Sequence, residues 1–181
     1  MFSKLLKASL LTLLAYLLQA TVAEPIAIGG VAPNLAFAII AVATVCLGRK
    51  YTFVMSLTIG YLLEIMLPAL DYISLIAYPV CAMLGALLFS DKSERKLEEE
   101  RTQGKRARQW NPLVRTPLCA GVSTMVFEAV NLIYTYLSGV ALDADHWARA
   151  LTDMVYTMAL AALLQFPIRR WMGTHKLRKA R

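Results

Sequence analysis

The chain has 181 residues, 58% of them hydrophobic and only 17% charged, with a formal net charge of +7. Soluble domains run nearer ~45–50% apolar and ~25% charged, so this composition, with a mean hydropathy of +0.54, excludes an ordinary water-soluble domain and points to a membrane protein. A ~30 Å hydrocarbon core takes ~20 helical residues to cross, so about six spans fill the chain. The expectation is one all-α integral membrane domain over residues 1–181.

The first span covers about 5–22, behind Lys4 and Lys7. Its basic start, its apolar middle and the small residues Thr21 and Ala23 before Glu24 are also those of a cleaved leader. Retention as an anchor is expected, because five spans follow and an even count leaves both termini on one side. An elbow with Pro25, Gly29, Gly30 and Pro33 leads to Asn34, which suits the N-cap of span two, 34–47. Gly48, Arg49 and Lys50 read as a tight basic turn. Span three, 51–67, is broken by Pro68, and Asp71 is a candidate cap for span four, 72–89.

The stretch 90–115 is the only long polar one. Arg95–Glu99 and Lys96–Glu100 are spaced to pair on one helix face, and Gly104 and Asn111-Pro112 end the run. A solvated charged loop is expected, with a docking role as the alternative. Span five covers 116–137. Asp143 or Asp145 caps span six, 147–166, which Pro167 with Arg169 and Arg170 stops, and a basic tail occupies 168–181.

Charge placement sets the orientation. With the N-terminus inside, Lys4, Lys7, Arg49, Lys50, the basic residues of the 90–115 loop and those from Arg169 onward all fall on the inner side; Arg149 alone falls outside. The positive-inside rule then puts both termini in the cytoplasm. Topology and anionic headgroups account for the basic balance, and nucleic-acid binding is not implied. Cys46, Cys81 and Cys119 are odd in number, lack C-x-x-C spacing and lie in or beside apolar runs, which argues against a disulfide framework or a zinc site. His146 and His175 fall on opposite sides of the membrane. No G-x-S-x-G, H-E-x-x-H or P-loop is present, so neither an enzyme nor a cofactor or metal site is expected.

Polar groups at membrane depth are the candidate site. A central charge costs about 2.5–3.5 kcal/mol on insertion scales, so Glu64, Glu128 and Asp153 should face the bundle interior, a wet cavity or a partner. Asn131 lies one turn beyond Glu128 on the same face. Asn34, Glu64, Glu128, Asn131 and Asp153 are expected to converge in the outer half of the bundle, as interhelical hydrogen bonds or as a partner or ligand site. Ser56-x-x-x-Gly60 and Cys81-x-x-x-Gly85 offer close helix approach.

The chain resembles the MreD family, the multi-pass rod-shape-determining proteins of bacteria. The first span ends L-L-Q-A-T, I-G-G-V-A-P-N-L leads a long apolar helix, and a basic turn precedes Gly60-Tyr61-Leu62-Leu63-Glu64. F-E-A-V-N-L-I-Y in span five and the last span with Pro167 and Arg169-Arg170 are also similar. The family commonly has Asp where Glu64 stands, and the 90–115 segment is longer than the family's. The resemblance places Pro33, Asn34, Gly60 and Glu64 on the family motif. It implies a six-helix fold related to the substrate-binding components of vitamin transporters, and a non-enzymatic scaffold in the cell-elongation machinery. Implied partners are an MreC-like protein, a RodA-like glycosyltransferase, a class B penicillin-binding protein, the MreB filament and membrane lipids. The rival expectation is the vitamin-binding component of an energy-coupling transporter, its pocket walled by Tyr72, Tyr134, Tyr136 and Trp147.

Overall fold

Leu35–Leu47, LAFAIIAVATVCL, has apolar side chains on every face, and a helix of that kind is stable only when surrounded. In the computed structural model, which describes residues 2–66, 73–89 and 111–173, this helix is the centre of the molecule. Every residue from Leu35 to Val45 is buried. Six helices are present among the described residues: α1 (Phe2–Thr21), α2 (Leu35–Leu47), α3 (Arg49–Met66), α4 (Ile73–Phe89), α5 (Pro112–Leu137) and α6 (Ala144–Met172). The central α2 touches all the others. Around it α1 packs on α3, α3 on α4, α4 on α5 and α5 on α6. The described residues contain no strand, only an isolated bridge between Ile28 and Val31.

The all-helical class agrees with the sequence expectation. Of these helices α5 and α6, with 26 and 29 residues, are long and apolar enough to cross a membrane, whereas α2 and α4 are shorter apolar helices. At ~1.5 Å per residue α2 is only about 20 Å long. A tight elbow leads into it. Gly29 and Gly30 have φ of +61° and +79°, the pair of positive values a two-residue type I′ hairpin requires, and Ile28 and Val31 exchange both backbone hydrogen bonds across them. The hydroxyl of Tyr156 in α6 donates to the Ile26 carbonyl at 2.8 Å and holds the elbow down.

Several boundaries differ from the sequence reading. The turn after α2 is Gly48 alone, at φ +91°, and Arg49 and Lys50 already belong to α3. Arg49 Nη2 donates to the Leu87 carbonyl near the end of α4 at 3.1 Å, so Arg49 caps a neighbouring helix as it begins its own. The fifth helix starts four residues early, because Asn111 caps it through the Leu113 N–H and Pro112 takes the first turn, where a missing donor costs nothing. Arg115 is therefore a buried residue of α5 and not part of a solvated loop.

Pro167 does not stop α6, which runs on to Met172 and ends at Gly173. A proline removes one donor, and here the turn beyond it is held by packing: Ile168 and Met172 are buried with Ala8, Leu11 and Ile39 in the main core. Lys7 Nζ also donates to the Met172 carbonyl at 3.3 Å. At the other end Asp143 is the N-cap, its backbone N–H donating to His146 Nδ1. Pro68, the cap assigned to Asp71, the Arg95–Glu99 and Lys96–Glu100 pairs, Gly104, His175 and most of the basic tail lie outside the described residues.

Candidate functional site at the start of the central helix

The first turn of any helix presents N–H groups without intrahelical partners. In α2 that turn is buried, so each of those groups must find an acceptor within the protein. The account closes completely. The Asn34 N–H is shared between Asp153 Oδ1 at 3.1 Å and Thr157 Oγ1 at 2.9 Å. The Leu35 N–H turns back to the Pro33 carbonyl. The Ala36 N–H reaches Gln19 Oε1 of α1, and the Phe37 N–H is capped by Asn34 Oδ1.

Asn34 also uses its amide nitrogen, donating to the Tyr78 hydroxyl of α4 at 3.2 Å. Thr157, one turn beyond Asp153 on α6, donates to Asp153 Oδ1 at 2.9 Å. Glu128 of α5 lies within electrostatic reach of Asp153, and the Asn131 amide approaches Glu128 Oε1 at 3.5 Å, the outer limit for a hydrogen bond. A carboxylate beside a helix N-terminus is favoured by the dipole as well as by the hydrogen bonds. Beneath this layer Phe37 and Tyr78 stack with centroids 4.7 Å apart, and Phe127 sets its edge against Phe37 and lies tilted against Tyr78, a three-helix aromatic contact between α2, α4 and α5.

Gly60 and Glu64 form the adjoining part. A Cβ on Gly60 would lie 2.8 Å from the Ser74 carbonyl oxygen and 3.2 Å from Tyr78 Cβ, so the glycine lets α3 close onto the first turn of α4. One turn later Glu64 Oε2 accepts the Ser74 N–H at 3.1 Å. The G-x-x-x-E spacing is thus a clamp: the glycine permits the approach, and the carboxylate caps the helix approached.

Of the residues singled out in the sequence, Asn34 and Asp153 hydrogen-bond directly, with Pro33 just before Asn34, and Glu128 with Asn131 stands on α5 near Asp153. Glu64 binds the Ser74 N–H at the start of α4, one turn from Gly60, which packs on Tyr78 of the layer. The second small-residue motif is also a contact, since Gly85 faces Cys119 and Ser123 of α5. Gln19, Tyr78 and Thr157 were not anticipated. Thr157 carries the one readable signal, standing four residues after Asp153 on the same helix face. Among the described residues no group of His, Cys, Asp or Glu side chains is arranged to hold a metal ion.

The clamp makes a prediction. Cys81 and Cys119 are buried free thiols, so their reaction with a maleimide dye on heating reports opening of the bundle. Glu64→Leu is expected to cost about 1–2 kcal/mol by orphaning the Ser74 N–H, with a lower temperature of dye labelling. Glu64→Gln keeps an acceptor and should cost less than half as much. Equal losses in the two variants would refute the capping role.

The fold and site define an all-helical protein built on a buried central helix whose first turn is fully hydrogen-bonded, with two helices among the described residues long and apolar enough to cross a membrane. No protein-family model, curated protein or solved structure matches the chain.

Proposed function

We propose that the chain is a six-span integral membrane scaffold of the MreD type, with both termini cytoplasmic, acting without catalysis in bacterial cell elongation. What supports the membrane part is inverted polarity. Leu6, Val54, Ile65, Leu88, Met125 and Leu163 face outward, whereas Thr44, Thr52, Ser56, Thr116, Thr124 and Thr157 are fully buried. Water would favour the opposite arrangement.

The observation that carries the scaffold reading is that the polar layer is engaged within the chain. Both ends of the Asn34 amide, Asp153 Oδ1 and the Thr157 hydroxyl are hydrogen-bonded to one another, to the start of α2 or to a neighbouring helix, which leaves the apolar outer faces as the means of contact with other proteins. In a bilayer such faces associate through packing. An MreC-like protein is the direct partner in this proposal. The RodA-like glycosyltransferase and the class B penicillin-binding protein join through it, and the MreB filament and lipid meet the basic inner side.

Mild-detergent purification of the tagged full chain from its own membranes, followed by mass spectrometry, tests this. Recovery of MreC-like, RodA-like and penicillin-binding proteins is the expected result. Recovery of a transporter membrane subunit with paired ATPases would overturn it in favour of vitamin binding, and so would unaltered rod elongation after depletion.

A further inference from the structure

The ring of helices around α2 is open on one side. Between α1 and α6 lies a groove of about 540 Å³, floored by Ile39 and walled by Leu10, Leu14, Leu17, Leu164 and Trp171 among others, every one of them apolar. Leu10 and Leu17 are 54% and 46% exposed, so the groove opens sideways. At its inner end Lys7 Nζ stands 5.7 Å over the Trp171 ring. Lys4 precedes Lys7 by three residues, and Arg170 follows Pro167 of the groove wall by three, spacings that put each pair on one helix face. Helix α1 contains no acidic residue, and α6 contains none after Asp153. The mouth is therefore basic, with no acidic residue of either helix to offset it.

We infer that this groove binds an anionic phospholipid, with its acyl chains along α1 and its phosphate at Lys7 and Arg170. The inference rests on the proposal that the chain spans a membrane. Size fits the occupant. A methylene occupies about the volume of a water molecule in the liquid, ~30 Å³, so the groove holds on the order of 18 such groups. From Leu10 to Leu18 it runs roughly 12 Å along α1, which suits the headgroup-proximal halves of two chains side by side. The chemistry of the wall decides between lipid and a partner's helix. Helices dock in bilayers through Gly, Ala and Ser, which allow backbones to approach, and the α1 wall here is leucine throughout. Basic pockets between helices on the cytoplasmic side suit acidic headgroups.

The test uses the full chain with Trp110→Phe and Trp147→Phe, leaving Trp171 as the reporter. The protein is reconstituted into phosphatidylcholine vesicles containing, in separate samples, phosphatidylglycerol or phosphatidylcholine brominated near the carbonyl end. Brominated phosphatidylglycerol should quench Trp171 at several-fold lower mole fraction than the phosphatidylcholine probe. Lys7→Gln and Arg170→Gln should each reduce that preference about fivefold. Lys50→Gln, which removes a basic group of the same side beside a different groove, should leave it unchanged.

Equal quenching by the two headgroups, or an equal loss with Lys50→Gln, would overturn the site in favour of general surface attraction. Absence of quenching by either lipid would overturn it in favour of a groove that is closed or covered by protein. Flotation of the same vesicles after alkaline extraction separates the two proposals. Protein that floats retains the membrane reading, so a quenching failure then counts against the groove alone. Protein that does not float removes both.

Discussion

Asn34→Leu is expected to destabilise the bundle by roughly 2–4 kcal/mol, the larger loss falling at the start of α2. The substitution removes the side-chain cap of the Phe37 N–H, worth about 1 kcal/mol as a cap. It also orphans a buried donor and leaves the Tyr78 hydroxyl without the amide that meets it, each costing ~1–3 kcal/mol before relaxation. The backbone N–H of residue 34 keeps Asp153 and Thr157, so the helix should still form. Asn34→Asp keeps the acceptor for Phe37 and loses only the donor to Tyr78, but it places a third carboxyl beside Asp153 and Glu128. It should therefore rank between wild type and Asn34→Leu at low pH and lose ground as pH rises. Maleimide labelling of Cys81 and Cys119 across a temperature ramp reads these differences. A labelling temperature for Asn34→Leu within error of wild type would mean that the polar layer does not hold the helices together.

Much of the fold was legible because apolar length is written into the chain. The six helices fall on the six apolar runs, and their class follows from composition. Their ends were less so. Arg49 and Pro167 read locally as turn and stop residues, yet each lies in a helix with contacts distant in sequence, the Leu87 carbonyl for Arg49 and the Ile168–Met172 packing on α1 beyond Pro167. Asn111 and Pro112, by contrast, form a local start that only its position, four residues early, conceals. Prolines inside apolar helices are tolerated when neighbours supply the missing contacts, and no single-sequence rule records the neighbour.

The site divides in the same way. Asn34 after a proline announced a cap, and Asp153 and Glu128 announced buried carboxyls by their cost. That Asp153 is the acceptor for the Asn34 N–H depends on how α6 crosses α2, which hydropathy does not encode. Gln19 is the clearest example. At the end of an apolar run a glutamine reads as an interfacial residue, whereas in the fold it is one of the five acceptors that complete the first turn of α2. The shortness of α2 explains why such acceptors are needed. A helix of about 20 Å in a bundle whose longest members exceed 35 Å begins below the surface, so what would be a solvated N-terminus becomes an interior one.

Gly60→Ala should be the most damaging single-methyl change in the described protein, at about 1–3 kcal/mol, with Gly60→Val beyond it. The nearest atom to the new methyl is the backbone oxygen of Ser74, and the next is the Tyr78 Cβ; neither can rotate away. The Ser74 N–H is meanwhile held by Glu64 from the same helix, so α4 can yield only by moving its first turn. Gly85→Ala is the comparison: its nearest atom is the Ser123 hydroxyl, which can take another rotamer, and its nearest backbone atom, the Cys119 oxygen, lies at 3.1 Å against 2.8 Å for Ser74 at Gly60, so its cost should be smaller. Because Gly60 seats Tyr78 and Tyr78 receives the Asn34 amide, the Gly60→Ala and Asn34→Leu losses should overlap. The double variant is expected to fall short of additivity by at least ~0.5 kcal/mol, as for sites sharing one network. Additive losses would mean that the α3–α4 clamp and the cap of α2 act independently, and that the six helices are not tied through a single polar layer.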